Sequence, residues 1–230
     1  MQPQLRTTPG AGSIALPAAR NKVLRNTYLL LALTMVPTVL GAMLGMSTGA
    51  IVFKHPIVTS LAMLAVVVGL QYAIAANRNS GVGVGLLMVL TLLLGWWLGP
   101  ILSVVLALKN GPQLVGYAAG GTAIVFAAMA TIATTTKRDF SFMGKTLVIG
   151  MIVLLVAMIA NMFLQIPALA LTISSLVIVV FSLFLLYDLS RIVNGGEDNY
   201  IMAATGVYMS LFNIFANLLN LLMAFTGDRD

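Results

Sequence analysis

Charged residues cut this chain into long uncharged, apolar stretches at 26–53, 55–77, 79–108, 110–136, 146–187 and 199–227. A bilayer core about 30 Å thick is crossed by about 20 apolar helical residues, and five of the stretches suit one crossing each. The stretch 146–187 would reach ~63 Å as one helix at 1.5 Å per residue, about twice the core, so it must fold back once. Gln165-Ile166-Pro167 is the natural corner, because the residue before a proline is biased away from helix. The expectation is an all-α membrane protein, a seven-transmembrane-helix bundle with spans near 27–48, 57–76, 82–104, 114–136, 143–164, 167–189 and 200–225. Gly99-Pro100, just after Trp96-Trp97, is read as a break that leaves Ile101–Leu108 as an interfacial turn.

Composition closes the alternatives. Of the 230 residues, 60% are hydrophobic and 8% charged, against about 45–50% and 25% in soluble domains, which excludes a water-soluble fold. Transmembrane β-barrels alternate apolar and polar residues, whereas Leu147–Ala160 is apolar on every face. There is no cysteine and one histidine, His55, so disulfides, thiol nucleophiles and zinc chemistry are not expected, and neither a metal nor a cofactor is implied. A net charge of +6 would suggest nucleic acid for a soluble protein. Here the basic residues sit between apolar runs and read as topology signals, so the partner they imply is the bilayer, not nucleic acid.

The positive-inside rule orients the bundle. A cytoplasmic N-terminus places Arg6, Arg20, Lys22, Arg25, Arg78, Lys137, Arg138, Lys145 and Arg191 inside, and only Lys54, Lys109 and Arg229 outside. The expected organisation is a cytoplasmic tail over residues 1–24 and a transmembrane domain over 25–230. The tail is polar, is punctuated by Pro3, Pro9 and Pro17 and is expected to be of low order, and it lacks the apolar core of a signal peptide. No internal repeat suggests the inverted halves of a transporter, and only Pro37 and Gly99-Pro100 approach the interrupted helices that such a fold uses.

Intramembrane proteolysis would need a Ser and His, two Asp on facing helices, or a zinc-binding His-Glu-x-x-His, and none is present. No catalytic residues are expected. Asp188 is the one carboxylate in or at the end of a span. With Arg191 at i+3 it can form a local ion pair; alternatively it faces the seventh helix and titrates there, as intramembrane ionisable groups often do. In the last span Ser210, Asn213, Asn217 and Asn220 recur at spacings of 3, 4 and 3 on one helical face. Such a face is costly in lipid, so this helix belongs inside the bundle, its stripe serving as interhelical hydrogen-bond glue or lining a wet cavity. Gln71, Asn161 and Gln165 can add polar contacts, while Met151, Met158 and Met162 read as adaptable packing. Gly81-Val-Gly-Val-Gly85 follows a corner and not a strand, so it is no phosphate loop. The pairs Gly41/Gly45/Gly49, Gly95/Gly99 and Gly116/Gly120 have the small-xxx-small spacing that lets helices approach closely, within the bundle or toward a partner. His55 beside Lys54 reads as a solvated loop residue.

The runs Leu186-Tyr-Asp-Leu-Ser-Arg-Ile-Val-Asn-Gly-Gly196, Asn199-Tyr-Ile-Met-Ala-Ala204 and Val207-Tyr-Met-Ser-Leu-Phe-Asn-Ile-Phe215 resemble the C-terminal signature of the Bax-inhibitor-1/YccA family. Lys22-Val-Leu-Arg-Asn-Thr-Tyr28, Gly120-Gly-Thr-Ala-Ile-Val-Phe126 and Ala160-Asn-Met-Phe-Leu-Gln-Ile-Pro-Ala-Leu169 are similar to its YccA branch. The resemblance implies a seven-helix fold with the last helix central, in the bacterial inner membrane. It implies either of two functions. One is restraint of the membrane-anchored AAA protease FtsH, bound with its HflK/HflC partners; the other is a pH-sensitive calcium leak gated by an aspartate pair. Asp188 matches the first aspartate of that pair and Ser210 stands at the second. A serine cannot share a proton as a carboxylate does, which favours the regulator.

Overall fold

The computed structural model describes residues 12–136 and 138–226, with side chains from Asn21 onward. Residues 1–11 of the expected tail with Arg6, Lys137, residues 227–230 with Arg229, and the side chain of Arg20 lie outside that description. The chain forms α1 (Gly12–Thr48), a short α2 (Ala50–Lys54), α3 (Pro56–Ala76), α4 (Gly81–Leu106), α5 (Gly111–Thr135), α6 (Gly144–Leu164), α7 (Pro167–Asn194) and α8 (Tyr200–Thr226). Seven of these are long and apolar enough to cross a membrane.

Local chemistry sets the ends. Pro56, Pro112 and Pro167 open α3, α5 and α7, where a missing N–H costs nothing and the fixed φ suits a helix start. The fold-back between α6 and α7 lies at the expected corner: Gln165 is left-handed, Ile166 is extended before Pro167, and Asn161 Oδ1 accepts from the Ile166 N–H at 3.1 Å. Asn199 caps α8 by accepting from the N–H groups of Ile201 and Met202, at 3.0 and 3.1 Å. Its amide nitrogen also donates to Arg78 O and Asn79 Oδ1, both at 2.8 Å, tying the α3–α4 corner to the start of α8.

Two expectations are corrected. First, α4 continues through Gly99-Pro100 to Leu106, so Ile101–Leu108 is no interfacial turn. The proline removes one backbone donor, but Gly99 and Pro100 are buried against α1, and the helix continues past them. Second, helical structure begins at Gly12, inside the segment expected to be a low-order tail. Pro17 falls within its second turn, and helix then runs unbroken into the apolar span, also passing Pro37.

The bundle is built round α8, which packs on α1, α3, α4, α5 and α7. Its Tyr208, 2% exposed, shares a 2.8 Å hydrogen bond with Thr38 Oγ1 of α1. The largest core cluster joins Ile201, Val207, Tyr208 and Ile214 of α8 to Leu87 and Leu90 of α4 and Leu185 and Leu189 of α7. Large apolar side chains such as Tyr117 and Ile124 face outward, 66% and 71% exposed, as the lipid-facing shell of a membrane bundle must.

The tightest seam is α1 on α4. A Cβ at Gly41 would overlap the Leu92 carbonyl, one at Gly95 the Thr38 carbonyl, and one at Gly99 the backbone of Gly45. Removing side chains is what lets the two backbones touch. The Trp96 carbonyl, whose i+4 donor Pro100 has abolished, lies against Gly45. Trp96 Nε1–H also donates to Thr48 Oγ1 at 2.8 Å. Two of the three glycine groups thus pack within the bundle. Gly116 and Gly120 of α5 do not: nothing lies within 4 Å of a Cβ at either position.

Candidate functional site

The sequence-derived candidates fall in two places along α8. The first is where α7 crosses it. A methyl on Gly206 would sit 2.7 Å from Asp188 Oδ2, so the partly buried Asp188 faces the last helix one turn from Ser210. Arg191 does not pair with it. The guanidinium instead meets Glu197 Oε2 at 3.1 Å, donates to Gly196 O at 3.0 Å, and lies 5.4 Å over the Tyr187 ring. The cause is the left-handed Gly195, φ 78°, which turns the chain back over the end of α7 and brings Glu197 to the arginine. Glu197 Oε1 accepts from the Asn199 N–H at 3.2 Å, so Arg191 is joined through Glu197 to the α8 cap.

The same end of the bundle carries further polar ties. Ser190 Oγ accepts from the Phe140 N–H at 3.2 Å and from Asn194 Nδ2 at 3.1 Å, tying Phe140 to α7. Asp139 Oδ1 accepts from the Ser141 N–H at 2.9 Å and from the Ser141 hydroxyl at 2.6 Å. These bonds lower its carboxyl pKa from the ordinary aspartate value.

The second place is a cavity of about 700 Å³ whose lining comes from α3, α4, α6, α7 and α8. Asn213, Asn217 and Asn220 line it, while Ser210 does not: it is buried, 2% exposed. The expected four-residue stripe therefore divides by depth. Near Gly206 the face is closed by α7 and its Asp188; from Asn213 onward it opens. Asn220 Nδ2 donates to Ser174 Oγ of α7 at 3.1 Å, which is interhelical glue. Asn213 Nδ2 and Asn217 Nδ2 instead donate to the carbonyls one turn back in α8, Met209 O at 2.8 Å and Asn213 O at 2.9 Å. Gln71, Asn161, Met151, Met158 and Met162 also reach the cavity, and Gln165 lies outside it. Sequence reasoning missed Gly206, Glu197 and Ser174. Gly206, at i−4 from Ser210 on the same helical face, carried a readable signal; the other two are brought in by turns and crossings that leave none.

An all-helical, seven-span bundle wound about its last helix, lined with amides and lacking any catalytic constellation among the described residues, defines the class: a polytopic membrane protein. Residues 20–227 match the family model described as inhibitor of apoptosis-promoting Bax1. The modulator of FtsH protease YccA of Escherichia coli K12 is 40% identical over 202 residues, covering 88% of this chain and 90% of that protein. An uncharacterized membrane protein of Vibrio cholerae is 40% identical over the same length. An uncharacterized protein of Neisseria meningitidis serogroup B is 39% identical over 213 residues, covering 91% of this chain and 94% of its own. The chain belongs to the Bax-inhibitor-1/YccA family, and it is a multi-pass membrane protein. A relative in another Escherichia coli strain carries the name inner membrane protein YccA.

Proposed function

We propose that this chain works in the bacterial inner membrane by binding FtsH and restraining its attack on membrane proteins, without catalysis of its own. The observation that carries the reading is the 40% identity to a modulator of FtsH protease across 88% of the chain. A bundle that buries its polar groups against a central helix suits the role physically, because extracting its apolar helices from lipid opposes the pull of an ATP-driven protease. The HflK/HflC partners of the protease belong to the same proposal. In the N-in, C-out topology, the end bearing Arg78, Arg138, Lys145 and the Arg191–Glu197 pair faces the cytoplasm.

A second reading, a proton-sensitive cation leak centred on Asp188, draws on one observation: that carboxylate faces α8 and not Arg191. Against it stands Ser210, where a second carboxylate would be needed to share a proton.

The test is the half-life of a membrane substrate of FtsH in matched cells with this protein absent or overproduced. The expected result is a longer half-life on overproduction, with the protease co-purifying. An unchanged half-life would shift weight to the leak. There, Asp188→Asn in liposomes should abolish the pH dependence of cation flux; a pH profile that survives the substitution would remove Asp188 as a sensor.

A further inference from the structure

Asn213 is the midpoint of α8, thirteen residues from each end, so its amide lies ~20 Å along the axis from either terminus. Asn217 follows one turn on. Their nitrogens are committed to carbonyls of their own helix, and a carbonyl can only accept, so each amide must turn its NH2 toward it and the orientation of both is fixed. The oxygens are left over. No described residue donates to either, and both residues line the cavity. These are two unused acceptors near the middle of a membrane, where each lacks the partner that a polar group in hydrocarbon requires.

The surroundings say what kind of donor fits. No charged side chain lines the cavity, so an ion or a charged headgroup has no counter-charge there. Phospholipid headgroups lie outside a core about 30 Å thick, roughly 15 Å from the depth of Asn213, and acyl chains carry no N–H or O–H. Water can also donate to such oxygens, but it brings no apolar body to pack on the methionines of a cavity of about 700 Å³; a polypeptide crossing the same bilayer brings a neutral donor to that depth together with one. α3 packs on α4 and α6 on α7; both line the cavity without forming a seam with one another, which leaves a lateral way in between them. Met63, Met151, Met158, Met162 and Met209 contribute to the walls, and flexible thioether chains remould to partners of different shape.

We propose that the crevice between α3 and α6 is a binding site for a transmembrane helix of another protein that exposes an uncharged polar residue, such as asparagine, at mid-bilayer. The side chain of that residue donates to Asn213 and Asn217, and the apolar face around it packs on the methionines. An uncharged polar residue that faces lipid has no hydrogen-bond partner there, so the site favours helices not yet packed against their own neighbours. The inference rests on the cavity and not on the protease reading, and either can fail alone.

The full chain, fluorescently labelled and reconstituted in dioleoylphosphatidylcholine vesicles, is titrated by energy transfer with Lys-flanked Leu/Ala helices carrying either Asn or Leu at the centre. Peptide is kept below the concentration at which it self-associates. The Asn peptide should bind about three- to tenfold tighter than the Leu peptide, the range of interhelical hydrogen bonds in membranes. Moving its Asn seven residues toward either end should abolish the preference. N213L/N217L, which removes both acceptors from positions where leucine suits the membrane, should equalise the two peptides with its melting temperature retained. Met158→Trp, which fills the crevice, should weaken both. Equal binding of both peptides to the native chain, a preference that survives N213L/N217L, or one indifferent to the depth of the Asn overturns the proposal.

Discussion

The α1–α4 seam and the α3/α6 crevice are opposite solutions to packing in a solvent as apolar as the helices themselves. Between helices in lipid there is no hydrophobic drive, so association depends on how many atoms come into contact and on hydrogen bonds. At the seam, Gly41, Gly45, Gly95 and Gly99 remove every side chain that would hold the backbones apart. At the crevice, methionines and asparagines stand where the seam has glycine, and a cavity of about 700 Å³ remains. One region has a single arrangement and is spent on stability. The other keeps its polar groups half used, and is where the molecule has something left to bind with.

The sharpest way to break this contrast is to place a methyl in the seam. Gly99→Ala or Gly45→Ala should lower thermal stability in detergent by about 2 kcal/mol or more, since the new Cβ meets backbone that cannot yield. Asn199→Ala comes next: it removes the α8 cap and the tie to Arg78 and Asn79, and should cost about 1–2 kcal/mol in the same melts. Gly116→Ala and Gly120→Ala sharpen the comparison from the other side. The same methyl enters open space on α5, so stability should hold or rise by about 0.5–1 kcal/mol, the gain from replacing a mid-helix glycine. A melt lowered as far as by Gly99→Ala would show that the Gly116/Gly120 face of α5 has a tight partner after all.

Asp139 should give the smallest effect. Its carboxyl is held below the ordinary value of 3.8 by the two Ser141 hydrogen bonds, so its contribution is complete above that value and is lost as pH falls through the lowered one. Native chain and Asp139→Asn should therefore differ slightly in melting temperature near neutrality and converge in acid. A difference that grows on acidification would contradict this sign.

Most of the architecture was legible because span length and charge placement are physical limits read directly from sequence. The corner at Pro167 and the interior position of α8 followed from one proline and three asparagines. The course of α4 through Pro100 was not legible, because what keeps it helical is α1, a tertiary neighbour about 50 residues away. The partner of Arg191 was hidden for a different reason: helical spacing offered Asp188 as one of two alternatives, whereas the turn at Gly195 delivers Glu197. Glycine spacing identified surfaces able to pack closely but not which would be used, so Gly41 and Gly116 looked alike. The division of the polar stripe between Ser210 and Asn213 depends on where α7 crosses, which no periodicity encodes.

The central place of α8 also fixes an order of events in the life of the chain. Synthesis delivers N-terminal helices first, so α1 and α4 can zip together while the ribosome is still translating. The helix on which α1, α3, α4, α5 and α7 all converge is the last of the seven to arrive. Until then the earlier spans surround a vacant axis, and a chain stalled before Tyr200 is left with a rim and no hub.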